Sequence, residues 1–185
     1  MESAKARDVR IERLALTHLD ATYEAALESI AETFSWMEWC HPGLTRTELS
    51  DFLVSLDQAW QQDKAYTFSV FDGKTGTYLG AGGVNRIDRT IQMGNLHYWV
   101  RTSSVGKGVA TNAAKQFAAF AFRDLGLQRI EIVVPAGNLL SARVAEKLGA
   151  VREGVLRNRV RLHGIQLDAT IYCLLPPDAG AFAAA

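Results

Sequence analysis

The sequence predicts one α/β domain, and three features predict it. Short segments with apolar residues at every second position alternate with longer segments of helical spacing, the pattern of strands and helices sharing a core. The stretch "LHYWVRTSSVGKGVATNAAKQFAAF", residues 96–120, passes from strand to helix through Gly106-Lys107-Gly108. The "RIEIVVP" that follows is a near-continuous apolar strand, so strand, helix and strand make a right-handed βαβ unit with parallel pairing. Its run of apolar residues predicts cover on both faces.

Val9, Ile11 and Leu14 begin the series as a short strand, and Ala21, Ala25, Ile30 and Phe34 follow at loose helical spacing. Pro42-Gly43 breaks the chain, and Thr45 or Thr47 caps a second helix carrying Leu49, Phe52, Leu53, Leu56 and Trp60. "AYTFSVFDGKTGTYLGAGGVNRID" reads as two strands around a turn at Asp72-Gly73, and "MGNLHYWVR" as another. After the glycine turn, Val109, Ala113, Phe117, Phe120 and Ala121 keep one helical face apolar until Gly126 stops it. A further helix runs from about Asn138 to Leu148, ended by Gly149. "VREGVLRNRVRLHGIQLDATIYCLLP" closes the series as two strands around His163-Gly164. No repeat or linker divides residues 1–185, so they read as one domain with a frayed tail over about 179–185.

Lys plus Arg and Asp plus Glu both number 20, so no net field draws DNA or an anionic membrane. An anionic ligand has to be held by a local site. The N-terminal "MESAKARDVR" lacks the apolar core of a secretion signal, and no apolar run approaches the roughly 18 residues of a membrane span. Cys40 and Cys173 then read as reduced cytoplasmic thiols; without close histidine partners they make no zinc site, so no metal is expected.

The turn at Gly106 is not a Walker A loop, because Gly108 follows Lys107 and no glycine stands five residues before Gly106. Nor is it the dinucleotide fingerprint, since Thr111 occupies the place of the third glycine. The amides from Gly106 to Ala110 nonetheless open a helix, where N–H groups lack intrahelical acceptors and the dipole favours an anion. Two readings stand on the turn alone: a diphosphate site, or a helix capped by water and Ser103 or Ser104.

Four pieces together carry a resemblance: "TGTYLGAGGVNRID", "HYWVRTSSVGKGVATNAA", "NLLSARVAEKLGAVREGVLRNRV" and "GIQLDATIYCLL". In this order the chain resembles the GNAT superfamily of acetyl-CoA-dependent N-acetyltransferases, most closely its branch of ribosomal-protein N-terminal acetyltransferases (RimJ/RimL-like). Val105-Gly106-Lys107-Gly108-Val109-Ala110 matches the Gly and the final Ala of the family's [Q/R]-x-x-G-x-[G/A], with Val105 replacing the usual Gln or Arg. Asn138-x-x-Ser141 followed by "EKLGA" is the second signature.

The resemblance implies a mixed, mostly antiparallel sheet of about seven strands, helices on both faces, and a central parallel pair splayed to admit CoA. It implies that Val105, Gly106, Lys107, Gly108, Val109, Ala110 and Thr111 hold the pyrophosphate and that Asn138 contacts the pantetheine arm. A backbone N–H at about Val100 or Arg101 would contact the thioester carbonyl, and Ser141 would protonate the leaving thiolate. Where relatives often carry a glutamate in the fourth strand, this chain has Asn95, and His97 stands where they have glycine. Strand alternation puts Asn95, His97 and Trp99 on one face, which makes His97 the substitute base; the alternative is a histidine held by packing.

On the acceptor side, Trp36 and Trp39 lie between the first two helices, with Met37 between them, and Glu32, Glu38 and His41 could attract a cationic amine. The expected reaction is direct acetyl transfer to a primary amine at a protein N-terminus. The alternatives are a small-molecule amine or a CoA-binding module without catalysis. A homodimer is a further family-level implication.

Overall fold

The structure, a computed structural model, describes residues 8–176; the predicted tail at 179–185 falls outside the described residues. Strand β1 (Val9–Arg13) leads through a short 3₁₀ turn into α1 (Leu19–Thr33) and α2 (Arg46–Gln61). Then come β2 (Tyr66–Asp72), β3 (Tyr78–Asp88), β4 (Met93–Val100) and α3 (Val109–Arg123). β5 (Arg129–Pro135), α4 (Leu139–Lys147), β6 (Val151–Leu162) and β7 (Ile165–Leu174) complete the series.

Local chemistry accounts for the boundaries. Thr45 caps α2: its hydroxyl accepts from Glu48 N at 3.2 Å while Glu48 Oε2 accepts from Thr45 N at 2.8 Å, a reciprocal pair that satisfies two end amides. Asn138 caps α4 by accepting the Ser141 amide at 3.1 Å. Asp72 Oδ1 accepts from the amides of Lys74 and Thr75, closing the β2–β3 turn.

The seven strands form one sheet in the order β1-β2-β3-β4-β5-β7-β6. Every neighbouring pair is antiparallel except β4 and β5. One face packs on α3 and α4 through Val84, Leu96, Phe117, Ile130 and Ile132; the other packs on α1 and α2 through Ala25, Leu49, Leu53, Ala81 and Trp99. Trp60, Tyr66, Phe68 and Phe120 interlock at one end of the first core, with ring centroids of Tyr66, Phe68 and Phe120 at 4.9, 5.0 and 6.2 Å from that of Trp60.

One expectation fails. β5 is covered on a single face: Ile130, Ile132 and Val134 are buried, while Arg129, Glu131, Val133 and Pro135 are half-buried. Its second face stays apolar in part because Val133 and Pro135 line a cleft rather than a core. No helix among the described residues is long and apolar enough to cross a membrane.

Candidate active site

The cleft begins where the sheet opens. β4 and β5 pair only at Met93–Arg129, Gly94–Ile130 and Asn95–Glu131, although β4 runs on to Val100 and β5 to Pro135. On the other side β4 stays bonded to β3: the Arg101 amide donates to Leu79 O at 2.8 Å. The Trp99 and His97 carbonyls also face β3, so near that a Cβ on Gly80 or Gly82 would lie 2.2 or 2.4 Å from them. Backbone groups alternate along an antiparallel pair. The N–H and C=O groups of Leu96, Tyr98 and Val100 therefore point into the gap between β4 and β5. The gap is part of a cleft of about 540 Å³.

At one end of the cleft lies the start of α3. Gly106 (φ 78°) and Gly108 (φ 79°) are left-handed, a conformation that costs a side-chain-bearing residue roughly 1–2 kcal/mol. Gly108 is the N-cap, and no side chain caps it. Ser103 and Ser104 do not fill that role. The first amides of α3 thus keep their donors for something else, and Val105, Gly106, Gly108, Val109, Ala110 and Thr111 all line the cleft. Lys107 is exposed and outside the lining, its Nζ donating to Ser103 O at 2.6 Å.

The loop before this turn is tied to α1. Arg101 bonds Glu24 at 3.0 Å, Glu28, and Tyr78 O at 3.2 Å, while the Ser103 amide donates to Glu28 at 2.7 Å. The Arg101 guanidinium, and after it the Ser103 amide, hold the Glu28 carboxyl down to about 2. The Arg101 amide, one of two predicted contacts for a thioester carbonyl, is spent on Leu79; the Val100 amide is the one that faces the gap.

On the α4 side, Ser141 meets a partner the sequence reading missed. Tyr98 Oη lies 3.0 Å from Ser141 Oγ and donates to Ser141 O at 3.1 Å. Burial pushes the Tyr98 phenol up to about 12, with the Ser141 bond opposing. The pair is protonated at neutral pH and lines the cleft. The signal was strand alternation: Tyr98 lies on the opposite face from His97, the face α4 covers.

The α1/α2 side of β4 presents Asn95 and His97. Asn95 Nδ2 donates to Asn85 Oδ1 at 2.9 Å, leaving Asn95 Oδ1 without a partner. His97 is half-buried as a residue, but its Nε2 is sealed from solvent and unpartnered, and burial pushes the imidazole down to about 4. It is neutral at pH 7 and weakly basic.

The predicted acceptor residues separate. Trp36, Met37 and Glu32 line the cleft, and Glu32 also accepts the Thr102 hydroxyl at 3.0 Å. Trp39 instead packs inward, 5.2 Å from Trp99 and 5.5 Å from Phe52. His41 contacts Pro42 O at 3.0 Å, and Glu38 bonds His163 of the β6–β7 turn; neither lines the cleft. Arg86, Arg143, Lys147 and Arg161 line it without having been singled out in the sequence.

The donor set fits a long anionic thioester: free amides for a diphosphate at α3, an open strand edge for an amide-bearing arm, and a hydroxyl pair near its end.

Comparison with known proteins agrees with this geometry. Residues 9–151 match the family described as Acetyltransferase (GNAT) domain. A Bacillus subtilis (strain 168) protein named as an N-acetyltransferase, YjcK, is 33% identical over 127 residues, covering 68% of this chain and 70% of that protein. RimL, described as a ribosomal L7/L12 alpha-N-protein acetyltransferase in complex with coenzyme A, superposes with a TM-score of 0.83 at 17% identity, covering 94% of this chain and 96% of that one. The microcin C7 self-immunity acetyltransferase MccE, in complex with acetyl-CoA and AMP, gives 0.80 at 21% identity, covering 93% and 94%. The splayed parallel pair, the glycine-capped helix and these matches lead to one assignment: the chain belongs to the GNAT family of acetyl-CoA-dependent N-acetyltransferases.

Proposed function

We propose that the protein acetylates an α-amine at a protein N-terminus. One observation carries the reading: Glu32 is the single carboxylate among the described residues lining the cleft, it is bonded to Thr102, and the β4 floor offers Asn95 and a weakly basic His97 instead. Magnitudes then favour an amine that is partly neutral unaided. At pH 7, deprotonating an α-amine of pKa ~7.8 costs about 1 kcal/mol, against about 4.6 for a lysine at ~10.4. The RimL described above acts on an N-terminal amine by its own description, which points the same way.

Acetyl-CoA supplies an activated acyl group and a thiol leaving group. The Val100 N–H donates to the acyl oxygen, where negative charge develops as the amine attacks. The Ser141 hydroxyl, supported by Tyr98 at 3.0 Å, gives its proton to the departing sulfur. The proton that the amine nitrogen loses on forming the amide bond passes to His97, whose ring lines the cleft and turns its sealed Nε2 outward to take it. Asn95, tied to Asn85 at 2.9 Å, holds the floor of the cleft beside that nitrogen.

A small-molecule amine is the second reading, favoured by a cleft whose 540 Å³ lies in the usual range for small ligands. Thiol release from acetyl-CoA, measured with peptides, Nα-blocked lysine peptides and small amines, decides between them. Free peptide N-termini are expected to exceed the other two classes at least tenfold in kcat/KM. A preference for blocked lysine peptides or small amines overturns the reading, and a pH–rate profile unchanged in His97→Ala removes the histidine from the mechanism.

A further inference from the structure

The two walls of the acceptor side come from distant parts of the chain. Thr33, Trp36 and Met37, in and after the end of α1, form one; Val160, Arg161 and Leu162 of β6 form the other. They meet at His163. That residue (φ 50°) and Gly164 (φ 76°) make a two-residue turn with both central residues left-handed, which matches the twist of the long β6–β7 hairpin. The turn is aimed at the α1–α2 connection. The His163 amide donates to Glu38 Oε1, its Nε2 lies 2.9 Å from Phe34 O, and its ring centroid is 4.3 Å from that of Phe34.

We propose that His163 and Glu38 form a latch that sets the width of the acceptor mouth, making them specificity-determining residues of the transfer reaction. The inference rests on the acceptor entering along the α1/α2 face of β4, as the proposed function has it. Sequence reading placed Glu38 in the substrate wall; its carboxylate instead joins that wall to the opposite one. The side chains of both latch residues remain accessible, at 34% for His163 and 55% for Glu38, so water competes for every contact. A joint of this kind opens readily, and acceptors bulky just behind the amine are those that require it open.

The test compares the parent protein with the double variant Glu38→Ala, His163→Ala, using two peptides that differ only in Gly or Trp at the second residue. The parent is expected to favour the Gly peptide at least tenfold in kcat/KM. The double variant should narrow that to within threefold by accelerating the Trp peptide, with the Kd for CoA unchanged. No size preference in the parent, or an unchanged ratio in the variant, overturns the latch. Amide hydrogen exchange gives a readout independent of turnover: residues 34–38 and 160–164 should both exchange faster in the single variant Glu38→Ala. Acceleration confined to 34–38 overturns the latch even if neither peptide proves to be a substrate, whereas coupled acceleration with no peptide turnover overturns only the proposed acceptor.

Discussion

At the scale of single residues, the site divides into two faces of one strand. Tyr98 and Ser141 share a hydrogen bond on the α4 side of β4, and Asn95 and His97 stand on the other. Ser141 was legible through the family resemblance, which Asn138-x-x-Ser141 carries as a local spacing whose bond to the Ser141 amide lies within one turn. Tyr98 was not, because its partner comes from α4, 43 residues away. Removing the Ser141 hydroxyl strips the proposed proton donor and leaves the unspent amides of α3 in place. We expect Ser141→Ala to lower kcat by about 10²-fold while the calorimetric Kd for CoA changes less than threefold. An unchanged kcat would take Ser141 out of the chemistry.

At the scale of elements, the decisive piece is the turn between β4 and α3. Its conformation suits the residue types, since the two left-handed positions on either side of Lys107 are filled by glycine. Gly108→Ala forces either about 1–2 kcal/mol of strain or a reoriented first turn. The thermal midpoint should fall by a few degrees, and CoA binding should weaken at least tenfold because the donors no longer converge. Intact affinity would show that the backbone amides are not the anchor. Other features at this scale depend on the fold. The apolar β5 read as a strand covered twice, but splaying of the parallel pair leaves its second face on the cleft.

For the whole molecule, acid stability follows from two buried or bonded groups. His97, lowered from 6.5 to about 4 by burial, binds its proton in the unfolded chain before it does so in the folded one. Between those values the unfolded state holds more protons, so stability rises with pH across that window and is lost on acidification. Glu28, lowered from 4.5 to about 2, adds a second loss from 4.5 downward as its bonds to Arg101 and Ser103 are protonated away. Thermal midpoints between pH 7 and 4.5 should fall less in His97→Gln than in the parent. Equal slopes would mean the imidazole is not sealed as described.

The sequence by itself determined the order of elements, the cap at Asn138, a threonine cap at 45 or 47, the glycine turn and the residues that open α3. Each of these depends on periodicity or on bonds between near neighbours. Tertiary structure alone decided that Tyr98 backs Ser141, that Val100 rather than Arg101 keeps a free amide, and that Glu38 reaches His163 across 125 residues. Strand register and long side chains on connecting segments take their partners from whatever the folded sheet brings near, and no local spacing encodes that.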